Sequence, residues 1–132
     1  MSEDVDVEKV YSHWMDTSDK DAITMAHLYS TKDYHWSLFM GHIVLERLLK
    51  ATVVKKTADH APFTHDLTKL ALLSDLPFSE AYLDWLDTIS TFNMNARYDS
   101  YKEEFYKKCT LDFTTEWIDK IKELQSWIKE KQ

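Results

Sequence analysis

The sequence predicts an all-α protein: an antiparallel up-and-down bundle of about five helices, in one domain over residues 1–132. Three observations predict it. Apolar residues make up 44% of the 132 and aromatics 14%, enough for an unassisted core. There is one glycine and there are two prolines, too few for the tight turns that join strands. Apolar side chains also recur every three or four residues, the helical period, over much of the chain.

The first helix is expected from about Val7 to Tyr29, on the spacing of Val10, Trp14, Ala22, Met25 and Ala26. The polar run Asp16–Asp21 is expected to bend or interrupt it. The second, about Asp33 to Val54, takes Ser30 or Thr31 as its cap. It is apolar on most sides, which places it centrally. Residues 55–64, with Pro62, form a polar connection, and Thr64 is the expected cap of a short third helix, about His65 to Ser74. Pro77 and Ser79 punctuate the start of a fourth, about Ser79 to Tyr98, striped by Tyr82, Trp85, Leu86, Ile89 and Phe92. Residues 99–112 are ambiguous, mixing polar groups with Tyr101, Phe105 and Tyr106. The last helix, about Phe113 to Lys129, sets Trp117, Ile121, Leu124 and Ile128 at spacings of four, three and four.

Charge and cysteine usage narrow the function. The formal net charge is −7, with acid concentrated at Glu3, Asp4, Asp6 and Glu8, a surface that does not attract long nucleic acid. Arg47, Lys50, Lys55 and Lys56 form a local basic cluster. It is either a site for a small anion or short RNA, or a solvated helix end favoured by the helix dipole. Cys109 is alone, so no intrachain disulfide forms, which fits a reducing compartment. No signal-peptide pattern opens the sequence, and no apolar run approaches the roughly 20 residues that span a bilayer. A cytoplasmic protein without a membrane partner is expected.

Nucleophilic catalysis has no support, and no catalytic residue is assigned. There is no Gly-x-Ser-x-Gly elbow, no glycine-rich phosphate loop, and no histidine near Cys109 in sequence. His60 and His65 bracket the end of the linker, yet no second pair stands at metal-ligand spacing and no Glu-x-x-His motif occurs. No metal or cofactor is expected.

Two polar constellations remain. His42, Glu46 and Lys50 are four apart and share one helical stripe. They form either a ligand or partner site, or a Glu–Lys pair beside a satisfied histidine. Asn93 and Arg97, four apart in FNMNARYDS (92–100), project together from the end of the fourth helix. Arginine offers a planar fork of donors for phosphate or carboxylate, asparagine can read a base edge, and Tyr98 adds a stacking surface and a hydroxyl. The structural alternative has Arg97 bonding the last carbonyls of its helix or pairing with Asp99. Asp66, beside His65, is expected in the first turn of the third helix, where a carboxylate suits the dipole.

Together, several stretches resemble the HEPN domain (higher eukaryotes and prokaryotes nucleotide-binding) over about residues 8–128. The matching pieces are His13-Trp14, Asp21-Ala22 through Ala26, and Tyr34 with Phe39. To these are added Glu46-x-x-Leu49-Lys50-Ala51, His65-Asp66-Leu67 with Leu70, and Asn93-x-x-Ala96-Arg97-Tyr98. The resemblance implies a helical bundle, commonly a homodimer, often encoded beside a small nucleotidyltransferase in a toxin–antitoxin pair. Many such proteins are metal-independent RNases that cut RNA through its own 2′-hydroxyl. Their motif is an arginine followed, after four to six residues, by a histidine. Here the corresponding windows hold Thr52, Val53 and Val54 after Arg47, and Lys102, Glu103 and Glu104 after Arg97. The RNase motif is absent as written, which leaves the non-catalytic-looking branch. Relatives usually have proline after the Arg-Tyr pair; with Asp99 there instead, the fourth helix is expected to run slightly further.

The resulting expectation is a nucleotide- or phosphate-ligand-binding protein. Arg97 takes phosphate, Tyr98 stacks, Asn93 orients, and Lys50 and His65 add contacts. A divergent RNase, with His65 or Tyr98 moving a proton near Arg97, is the alternative. A pure protein-interaction module is the third reading.

Overall fold

The computed structural model describes residues 5–132, so Glu3 and Asp4 of the acidic start lie outside it. The described residues form six helices: α1 (Val7–Ser30), α2 (Tyr34–Thr57), α3 (Leu67–Ser74), α4 (Glu80–Arg97), α5 (Asp99–Lys108) and α6 (Leu111–Glu130). They make a helical bundle built around α2, against which each of the other five packs. Leu38, Leu45, Leu48 and Leu49 of α2 are fully buried, as expected of a helix that is apolar on most sides. Its Gly41 lets α1 and α6 approach closely. A Cβ there would run into the Ile121 side chain of α6 and lie 3.3 Å from Met25 Sδ of α1.

Four sequence expectations change. α1 is uninterrupted through Asp16–Asp21, because that polar run is tied to its neighbours across the bundle. Ser18 donates to the Val44 carbonyl at 2.8 Å, Asp21 pairs with Arg47 at 2.7 Å, and Asp19 with Lys129 at 2.7 Å. The N-cap position of α2 is Asp33, in place of Ser30 or Thr31; the Thr31 hydroxyl instead donates to the Asp33 carboxylate at 2.6 Å.

Asp66 replaces Thr64 as the cap of α3, accepting from the backbone N–H groups of Thr68 and Lys69. Thr64 sits one step earlier, its hydroxyl accepting from the Asp66 N–H at 3.1 Å. Ser79 caps α4 as expected, accepting from the Tyr82 N–H at 3.1 Å.

The fourth change concerns residues 98–109. α4 ends at Arg97 and does not run on. Tyr98 is extended (φ −86°, ψ 129°) and serves both helices. Its N–H donates to the Met94 carbonyl, and its own carbonyl accepts from Tyr101 and Lys102. The ambiguous stretch is therefore a helix, which raises the total to six. Phe105 is its buried anchor, 5.4 Å from Phe92 between ring centroids.

Three helix ends carry non-glycine residues in the left-handed region: Lys32 (φ 66°) after α1, Ala58 (55°) after α2 and Asp75 (60°) after α3. No helix among the described residues is long and apolar enough to cross a membrane.

Candidate functional site

The site grows from one face of α2. His42 is fully buried, and its Nε2–H donates to the backbone carbonyl of His65 at 2.9 Å. A carbonyl only accepts, so the proton sits on Nε2 and leaves Nδ1 bare in the neutral ring. Asn93 of α4, also buried, donates its Nδ2–H to that lone pair at 3.3 Å. This fixes the amide: Oδ1 turns the other way and accepts from Arg97 Nη2. Arg97 Nε–H also donates to the Asn93 backbone carbonyl at 3.2 Å. Burial pushes the His42 ring below its ordinary range, opposed by the His65 carbonyl and Glu46 and reinforced by the positive field of His65 and Arg97. The ring is thus held neutral near pH 7.

One turn along α2, Glu46 is buried with its carboxylate divided between two donors. Oε1 accepts from His65 Nδ1–H at 2.7 Å and lies 4.0 Å from His42 Nε2. Oε2 accepts from Lys50 Nζ at 3.2 Å. The Lys50 ammonium is buried as well, 5.3 Å from the centre of the Trp14 ring. The His65 side chain is 59% exposed. With Nδ1 bound to Glu46, Nε2 is the ring nitrogen that remains for a ligand. Phe63, fully exposed, stands 6.4 Å from the His65 ring.

Arg97 lies at the exposed end of this network, 5.4 Å from the Tyr98 ring centre and 6.0 Å from that of Phe39. Two donors of its five-donor fork are committed to Asn93. Among the described residues no carboxylate pairs with it, so the Asp99 pairing does not form. The bond to the Asn93 carbonyl reaches one turn back within α4 and does not cap the unpaired carbonyls at its end. The remaining donors, flanked by aromatic faces, can hold a phosphate or carboxylate oxygen.

The structure therefore joins the two constellations through the His42–Asn93 contact. Asn93, Arg97 and Tyr98 are adjacent, and His65 connects to them through its carbonyl and His42. Lys50 belongs to the same network but is turned inward on Glu46 and Trp14, away from solvent. The basic cluster does not converge either, since each member has a local partner. Arg47 pairs with Asp21, Lys56 with Asp75 at 3.3 Å, and Lys55 lies over Tyr11. Cys109 is buried, which pushes its thiol up to about 12 and keeps it protonated at neutral pH. No group of three or more His, Cys, Asp or Glu among the described residues is placed to hold a metal.

Sequence reasoning missed His42 as the hub, and with it Glu46 as the anchor of His65. Their four-residue spacing signalled a shared face. The contacts that make them matter span 19 to 51 residues and have no local signature.

The model of the HEPN domain family matches residues 11–131. No curated protein matches the sequence. The solved structure of TT1696 from Thermus thermophilus superposes with a TM-score of 0.76 at 17% identity, covering 92% of this chain and 98% of the other. That likeness concerns the fold. The family match runs from within α1 to the end of α6 and takes in the whole His42–Arg97 network: the chain belongs to the HEPN domain family.

Proposed function

We propose that this HEPN protein binds a nucleotide or a similarly small phosphate-bearing ligand, with Arg97 as the anion-holding group. One observation carries the reading. An exposed guanidinium is pinned at one edge by Asn93, has no carboxylate partner among the described residues, and lies beside Tyr98. Tyr98, half exposed, offers its ring to a base, and His65 offers a second oxygen an Nε2–H when its ring carries both protons. Asn93 orients Arg97. Lys50 acts at one remove, by holding the carboxylate that holds His65. The net charge of −7 favours a small anion over long nucleic acid. The reading also carries a cytoplasmic setting, a second copy of the chain, and a nucleotidyltransferase partner in a toxin–antitoxin-type pair. Met94, Tyr98, Tyr101 and Tyr106 leave exposed apolar surface on and between α4 and α5 that a protein partner can cover.

Calorimetric titration with a panel of nucleoside mono-, di- and triphosphates tests it. Binding is expected in the parent, and Arg97→Ala lowers the affinity by about tenfold or more, the size of a charged hydrogen bond of about 1.5–3 kcal/mol. The variant stays folded, because Arg97 is exposed. Unchanged affinity sinks the assignment. A second reading rests on the Glu46–His65 bond, which orients His65 with Nε2 outward as a proton acceptor needs. Under it the parent cleaves an RNA oligonucleotide in chelator, and an Arg97→Ala, His65→Ala double variant does not. Equal cleavage by both points to a contaminating nuclease.

A further inference from the structure

His42, Asn93 and Arg97 form a chain of bonds in which each member dictates the next. The His65 carbonyl accepts only, so Nε2 of His42 must carry hydrogen. The bare Nδ1 requires a donor and therefore selects the NH₂ end of Asn93. The oxygen end is then left for Arg97, which as an obligate donor requires it. One orientation of the amide satisfies all four groups.

We propose that His42 is a proton-operated latch on Arg97: protonating its Nδ1 turns the Asn93 amide over and releases the side-chain hold on the guanidinium. The imidazolium presents N–H at both ring nitrogens. Its Nδ1–H would face the Asn93 NH₂, donor against donor. Turning the amide gives Oδ1 to His42, but it aims the NH₂ at Arg97, again donor against donor. Only the Nε bond to the Asn93 backbone carbonyl survives, and the fork loses its second fixed point. The proton is taken up from solvent, and no covalent bond changes.

The groups facing the ring come from three elements. On α2, Glu46 Oε1 at 4.0 Å favours the imidazolium. From the linker before α3, the His65 ring at 6.4 Å opposes it, and its carbonyl accepts the Nε2 proton in either state. On α4, Arg97 opposes it. Burial opposes it most strongly. Charge alone would make a protonated His42 attract an anion more strongly. The latch predicts the reverse, because Arg97 loses its orientation.

This inference rests on the reading of Arg97 as the anion-holding group, but its mechanical part can be followed in the protein alone. Nitrogen-15 NMR of the full chain, without ligand, follows the His42 ring, the Asn93 side-chain amide and Arg97 Nε. The pH is lowered from about 8 through the histidine range to the edge of acid unfolding. All three signals are expected to move with one common midpoint. Arg97→Lys keeps the positive charge but removes the two-point hold. It frees the amide to turn, so the His42 midpoint shifts upward. An unshifted midpoint in Arg97→Lys overturns the latch, because then only charge links the two groups. So do Asn93 and Arg97 signals that stay still while His42 titrates, or a His42 that remains neutral until the protein unfolds. The titration is then repeated with adenosine 3′,5′-cyclic monophosphate, whose single charge does not change in this range. Affinity should fall as His42 protonates; affinity that holds or rises overturns the functional half of the proposal. No binding of the probe at any pH, with a common midpoint intact, rejects the anion site and leaves the latch standing.

Discussion

His42 concentrates a cost and a benefit in one ring. Buried without charge, it ties α2 to the linker and to α4. Its folded proton affinity is depressed, mainly by burial, while in the unfolded chain it returns to about 6.5. Between those two values the unfolded chain holds the proton and the fold does not. Stability is therefore fully present above the unfolded value and falls as pH drops below it, by up to about 1.4 kcal/mol per pH unit for this group. Denaturant unfolding between about pH 7 and pH 5 should show this slope. His42→Gln should flatten it; a slope as steep as the parent's would place the proton elsewhere. His35, depressed by burial and by Lys102, keeps part of the slope in the variant. Much at this scale was legible. The spacing of His42, Glu46 and Lys50 announced one face, and that of Asn93 and Arg97 another. Which faces meet depends on how the linker returns to α2, and no local pattern encodes that.

At the scale of elements, α2 is an apolar helix with one buried ion pair. Glu46 and Lys50 are 3.2 Å apart and both nearly excluded from water. Removing one partner strands the other charge. Glu46→Ala is expected to cost about 3–5 kcal/mol, whereas a Glu46→Met, Lys50→Met double variant should recover most of that loss. Chemical denaturation of the three proteins measures the difference, and a double variant no more stable than the single would contradict it. The double variant should still lose the fixed His65 ring, which separates the pair's stabilising role from its positioning one. Helices α1, α4 and α6 were readable because each repeats an apolar stripe over many turns, and α2 because it is apolar on most sides over its whole length. α5 was not, because Phe105 is its buried anchor and one residue sets no period. The cap of α3 was misplaced by two residues, since Thr64 and Asp66 are both good caps and only the chain's path decides between them.

The whole molecule followed from composition more readily than its site did. A chain rich in apolar and aromatic residues and almost free of glycine had few options besides a helical bundle, and the core around α2 realises it. The single glycine goes to a helix crossing at Gly41, and none is left for the helix ends. Lys32 and Ala58 fill left-handed positions that cost an ordinary residue about 1–2 kcal/mol each, whereas Asp75 is of a type that tolerates that region and pairs with Lys56. Glycine at the first two removes that strain while gaining some disorder in the unfolded chain, a net gain of about 0.5–1 kcal/mol per site. A Lys32→Gly, Ala58→Gly double variant should therefore melt several degrees higher by calorimetry. An unchanged or lower melting point would show that the strain is already relieved. Neither position belongs to the hydrogen-bonded network from Lys50 to Arg97. The fold thus holds an unused reserve of heat resistance, and a hardened scaffold could absorb damaging substitutions while its binding chemistry is remodelled.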